Sequence, residues 1–290
     1  MKTRLVIDSC SDLSQKYYKE HRKHLELIGM PVEIKSIEFL DEFGKNYSND
    51  TFFDDLRNGE FPNTAQINTY RFEKKFEELL EDGENVIYLG FSSGLSGTCQ
   101  NAFMAKQNIM EKNPNAKIEI VDTKAASIGE GLLVREAVRL IECGASFEEI
   151  IEWMNKNKMC AQHWFAVDDL MYLKKGGRIS GTKAAVGTML NVKPILTVDS
   201  EGKLGAHSNV RGRKKSIMFL AQKAGEQWIL NDSSEIIVGH GQCLEEAEKL
   251  KAHIEKLCPD ANIWITELSA TIASHVGPNM LAVAFLGERR

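Results

Sequence analysis

Residues 90–98 read Gly-Phe-Ser-Ser-Gly-Leu-Ser-Gly-Thr, between a strand-like run at 85–91 and a helical pattern at 98–110. Small residues let the backbone approach a ligand, and a helix N-terminus favours an anion. The hydroxyls of Ser92, Ser93, Ser96 and Thr98 add donors. The segment is neither a Walker A loop nor a G-x-G-x-x-G turn. An ordinary serine-capped connection is the plain alternative. Gly90 to Gly94 also spells G-x-S-x-G, the nucleophile elbow of serine hydrolases, with Ser92 as nucleophile and His240 or His275 as the later histidine. Against that reading, several small residues separate Ser92 from the helix start, and no HGGG-type segment lies upstream.

Other segments add candidates. Asp8 and Asp12 follow the first strand at D-x-x-x-D spacing, which suits helix capping by Ser11 or Asp12 better than a metal-dependent phosphatase. Thr64 sits in a polar turn, where it either caps the next helix or donates its hydroxyl into a cleft. His275 lies in a Gly-Pro turn before the last strand, where it is expected to be partly accessible and to titrate near neutrality. Basic residues gather at 174–178 and 211–215; a solvated face is the usual reason, and docking of an acidic partner is the other.

The elements that must position these residues follow from periodicity. Strands are expected at 5–7, 26–34, 85–91 and 117–122, and helices at 12–20, 51–58, 69–80, 98–110 and 129–143. Ser146 with Glu149 matches a capping box for a helix to 156. This alternation predicts a mostly parallel sheet in a three-layer α/β/α domain over 1–160. From 161 to 290 the pattern changes. Strands at 193–198 and 203–210 flank Asp-Ser-Glu-Gly, a hairpin signal, and helices at 213–228 and 244–257 bracket a strand at 235–238. A short helix at 168–174 and strands at 162–167, 263–267 and 281–285 complete an α+β domain with a mixed sheet. The expected fold class is α/β with two closely packed domains and a cleft between them.

Composition narrows the function. With 36 Lys+Arg against 41 Asp+Glu, the 290-residue chain carries a net charge of −5 and has no long basic run, which argues against nucleic-acid binding. The six cysteines form no C-x-x-C pair and suit a reducing compartment. The longest apolar run, 280–286, is far too short to span a membrane. A cytoplasmic location is expected.

Taken together and in order, these segments resemble the DegV family. The matching pieces are Asp8-Ser9 with Asp12-Leu13, Thr64-Ala65-Gln66, Ser92 to Thr98, Asp122-Thr123-Lys124, Asp169-Leu170, Tyr172 to Ser180, Asn191 to Leu196, and His275-Val276-Gly277-Pro278. The resemblance spans the whole chain. It implies a fatty-acid-binding subunit of a bacterial fatty acid kinase, rather than an enzyme in its own right. The acyl chain would lie in an apolar tunnel in the C-terminal domain. The carboxylate would be held by Thr64, Ser96 and His275, with Ser93, Gly97 and Thr98 as supporting loop. Arg178 and Arg211 would dock a separate ATP-binding kinase subunit, which phosphorylates the carboxylate. No cofactor or metal is implied, and a lipid sensor remains an alternative role. Ala65, Ile67-Asn68 and Asn279 depart from the family pattern at the rim of the carboxylate site.

Overall fold

The structure, a computed structural model, describes residues 2–168, 170–179, 191–230 and 232–290. Asp169, Ser180 and Gly181, which belong to motifs singled out above, lie outside the described residues. The chain opens with β1 (Thr3–Asp8), α1 (Gln15–Glu20), β2 (Leu25–Ile28), β3 (Met30–Ile34), β4 (Ile37–Asp41), α2 (Asn49–Arg57), β5 (Asn63–Thr64), α3 (Thr69–Glu81), β6 (Asn85–Gly90) and α4 (Thr98–Lys112). It continues through β7 (Ile118–Asp122), α5 (Ile128–Glu142), α6 (Phe147–Asn157), β8 (Ala161–Ala166), α7 (Met171–Lys175), β9 (Val192–Val198) and β10 (Leu204–Arg211). The remainder is α8 (Arg213–Gln227), β11 (Glu235–His240), α9 (Leu244–Leu257), β12 (Asn262–Glu267), α10 (Ala270–Val276) and β13 (Leu281–Leu286).

Two main sheets result. The first is wholly parallel, in the order β2-β1-β6-β7. Its central strands are buried on both faces, as a helix-covered parallel sheet requires. The second has the order β10-β9-β8-β13-β11-β12 and is antiparallel except for β11 with β12. A small antiparallel sheet, β4-β3-β5, stands beside them. Helices α3 and α4 pack on the parallel sheet, while α8 and α9 cover the mixed one. Helix α5 touches strands of both sheets, and every residue from Ile128 to Val138 is buried. Its buried stretch includes Glu130, Arg135 and Glu136, of which Arg135 is paired with Glu235.

Three local expectations change. The run 26–34 is two strands, not one: it breaks at Gly29, so β2 joins the parallel sheet and β3 the small one. The first helix does not start at Ser11 or Asp12. Asp8 caps a single 3-10 turn, Asp12 adopts left-handed geometry (φ 47°), and Ser14 caps α1. His275 is not in a turn but in the last turn of α10, a helix that the sequence reading did not anticipate. The capping box at Ser146 and Glu149 forms as read.

Candidate functional site

The polar residues come together through four elements. Thr64 ends β5, whose pairing with Val32 of β3 fixes its direction; it does not cap α3, which is capped by Asn68. His275 comes from α10, and its Nε2 lies 2.9 Å from the Thr64 hydroxyl. Ser96 precedes α4; its hydroxyl accepts the Thr98 amide N–H at 3.2 Å and lies 3.0 Å from the Thr98 hydroxyl. Gly97 is the N-cap residue of α4, with no side chain to block the amides there. Arg178 follows α7 and donates to the Leu95 carbonyl at 3.3 Å and to the Gly176 carbonyl.

Thr64, Ser96, Arg178 and His275 all line one cavity of about 430 Å³, together with Gln66. The rest of its wall is mostly apolar, including Met30, Phe91, Trp164, Phe165, Leu173, Val198 and Val283. Residues from both halves of the chain contribute.

Burial, followed by the nearby Arg178 charge, pulls the His275 imidazole down to about 4. The expectation of a ring titrating near neutrality is therefore overturned: His275 is neutral at pH 7. Its Nδ1 has no hydrogen-bond partner among the described residues and faces Gly176, where an added Cβ would sit 2.4 Å from Nδ1. A bare ring nitrogen is tolerated there more easily than a buried N–H. The proton accordingly belongs on Nε2, which donates to Thr64 and leaves the threonine O–H free to donate onward.

Helix α10 is itself held by buried carboxylates. Asp12 accepts the Ser269 amide N–H at 2.7 Å and the Ser127 hydroxyl. Asp41 accepts both the amide N–H and the hydroxyl of Thr271, at 2.8 and 2.7 Å. Sequence reasoning took residues 40–48 for a turn and missed Asp41. The only signal was an aspartate closing the apolar-containing run Ile37–Leu40.

Other expected site residues are placed elsewhere. Ser93 is exposed and donates to Asp122 at 2.6 Å, with Lys124 donating to the same hydroxyl. Burial alone would raise Asp122, but Lys124 and Ser93 outweigh it and hold the carboxyl below its usual range. Ser92 is fully buried; its hydroxyl donates to the Gly202 carbonyl at 2.7 Å and accepts the Gly94 N–H. It fastens its loop to the β9–β10 hairpin and is bonded to no histidine. Arg211 is exposed on β10, away from the cavity lining. Among the described residues no cluster of three potential metal ligands occurs, and no helix is long and apolar enough to cross a membrane.

Residues 2–288 match the family described as "Uncharacterised protein, DegV family COG1307". The chain belongs to the DegV family. A DegV domain-containing protein of Clostridium perfringens is 39% identical over 288 residues, covering 99% of this chain and 98% of the relative. Among solved structures, a fatty-acid-binding DegV family protein from Thermus thermophilus is 30% identical, with a TM-score of 0.83 over 99% of this chain and all of the other. A fatty-acid-binding DegV family protein from Streptococcus agalactiae is 28% identical, with a TM-score of 0.84 over the full length of both. This DegV chain thus shares the α/β architecture, one parallel and one mixed sheet, with relatives that bind fatty acids.

Proposed function

We propose that this DegV protein binds a long-chain fatty acid. It buries the acyl chain and presents the carboxylate to a separate kinase subunit that converts it to an acyl phosphate. The observation that carries the binding reading is an apolar cavity with two hydroxyls, a histidine and an arginine gathered at one part of its wall. Hydroxyl donors and a nearby guanidinium offset the desolvation of a carboxylate, and charge-assisted bonds are the strong ones. The solved relatives named above support the same ligand class.

In this reading Thr64 and Ser96 donate to the carboxylate, His275 sets the direction of the Thr64 proton, and Arg178 supplies positive charge. Ser93, Gly97 and Thr98 shape the loop. About 15 methylenes at ~0.8 kcal/mol each give roughly 12 kcal/mol gross. Ordering the tail and immobilising the ligand offset much of that, so binding in the micromolar-to-nanomolar range is expected. The protein itself performs no chemistry on this reading: the kinase brings ATP, and Arg211 with the neighbouring lysines forms the docking surface for it. Residues 1–160 and 161–290 act as two domains, and the protein works in the cytoplasm.

The test is mass spectrometry of the purified protein under native and denaturing conditions, with organic extraction. A fatty acid released intact on denaturation is the expected result. Protein that arrives empty and takes up neither palmitate nor oleate overturns the binding reading. Addition of a fatty acid kinase subunit with ATP then tests presentation: formation of acyl phosphate is expected, and a bound acid that no such kinase modifies removes that half.

A further inference from the structure

A second cavity, of about 650 Å³, lies next to the first. Its character differs. The Arg135 guanidinium is stacked between the rings of Tyr17 and Trp264, 4.2 and 4.4 Å from their centroids, and grips Glu235 with two hydrogen bonds. Among the described residues, Ile128 is the one side chain that borders both cavities. Beside it Ser127, which lines the first cavity, donates to Asp12, which lines the second. Ile128 therefore stands between the two spaces.

Ile128 is the first residue of α5 and is 2% exposed. It is seated against β11, where a Cβ added at Gly239 would come within 2.8 Å of its Cγ2. The partition and the helix that carries His275 share an anchor. Asp12 also accepts the amide N–H of Ser269, the N-cap residue of α10, and His275 lies six residues further along that helix.

We propose that Ile128 is the stop of the acyl tunnel, and that it sets the longest chain the protein accepts by closing the first cavity against the second. This rests on the fatty-acid reading above. A chain that outgrows the first cavity must displace Ile128 from β11 or leave its last methylenes in water. Beyond the partition the second cavity offers apolar wall from Leu13, Val138, Ile237 and Ile265 beside the Arg135–Glu235 pair, which only a chain that passes Ile128 can reach. Truncating Ile128 removes the barrier while leaving the groups around Thr64 untouched.

The experiment is a competition series of saturated fatty acids of about 14 to 24 carbons, spanning several kcal/mol of methylene burial. It compares the wild-type chain with Ile128→Ala and Ile128→Val. Wild-type affinity is expected to peak and then fall roughly tenfold or more over the next few carbons. In Ile128→Ala the peak moves to longer acids, and the longest ones gain roughly tenfold relative to the peak acid of the wild type. Ile128→Val, which keeps most of the packing against β11, gives a smaller shift in the same direction and serves if the alanine variant does not fold. As a second readout, a long acid with a spin label at its methyl end should quench Trp264 in Ile128→Ala but not in the wild type. A folded variant with the wild-type length profile overturns the assignment of Ile128. A wild-type protein that binds no acid of any length overturns the fatty-acid reading itself, and this inference with it.

Discussion

The Thr64 hydroxyl and His275 Nε2 are 2.9 Å apart although 211 positions separate the residues in the chain. Neither stands alone: the threonine is aimed by a short strand and the histidine by a helix end. Thr64→Val and His275→Ala are each expected to weaken fatty-acid binding by roughly 10- to 100-fold, from hydrogen bonds worth ~1.5–3 kcal/mol to a charged group. The double variant should lose less than the sum, because the two act through one bond. Displacement of a fluorescent fatty acid measures all three; unchanged affinity in both single variants removes the pair from the site.

Gly176→Ala tests how tightly His275 is seated. The new methyl would lie 2.4 Å from Nδ1, so the ring or the backbone after α7 must move. Affinity should fall roughly tenfold, about 1.4 kcal/mol, with a smaller effect on unfolding temperature than on binding. Crystallography or NMR of the ring is the direct check. A variant with wild-type affinity would mean that the ring orientation does not matter.

Asp12 and His275 should give opposite signatures in stability against pH. Burial raises Asp12 from 3.8 to about 7, so its contribution is full below pH 3.8 and is lost as pH rises towards 7. Burial and Arg178 lower His275 from 6.5 to about 4, so its contribution is full above pH 6.5 and is lost as pH falls towards 4. Asp12→Asn should flatten the first slope and His275→Gln the second, as read by chemical denaturation at a series of pH values. Slopes identical to wild type in both variants would contradict these shifts.

Ser92 is expected to be inert to fluorophosphonate probes, since a buried hydroxyl bonded to a carbonyl has no base to activate it. Ser92→Ala should instead cost ~1–3 kcal/mol of stability by leaving buried polar partners unsatisfied. Labelling of Ser92 by the probe would reopen the hydrolase reading.

Much of this was legible in the sequence, for identifiable reasons. Long-period signals survived intact: the apolar face of α3, with Phe72, Phe76 and Leu79, and the hairpin turn around Asp199 to Gly202. The cavity residues Thr64, Ser96 and His275 were named from a family pattern, and the fold brings all three to one wall. What was hidden depends on tertiary environment. Helix α10 has seven residues, too few to show a period, and its start is secured by Asp12 and Asp41 from distant parts of the chain. The neutral state of His275 follows from enclosure, which residue type alone does not report. Arg178 was expected from the family resemblance to dock the kinase subunit; its guanidinium turns to two carbonyls at the cavity edge, a contact that residue type alone does not report. The split at Gly29 was invisible because both strands are apolar enough to read as one.

Helix α5 has a bearing on how a ligand gets in. Leu132, Leu133, Val134, Ala137 and Val138 are all buried, and the helix touches strands of both sheets. Prising the halves apart like a clamshell would wet this keystone, at ~1.5–3 kcal/mol for each large apolar side chain exposed. Few side chains of that size can be uncovered before the cost equals the whole stability of a typical domain. On the fatty-acid reading, entry with the two sheets held shut is therefore cheaper than entry by opening them.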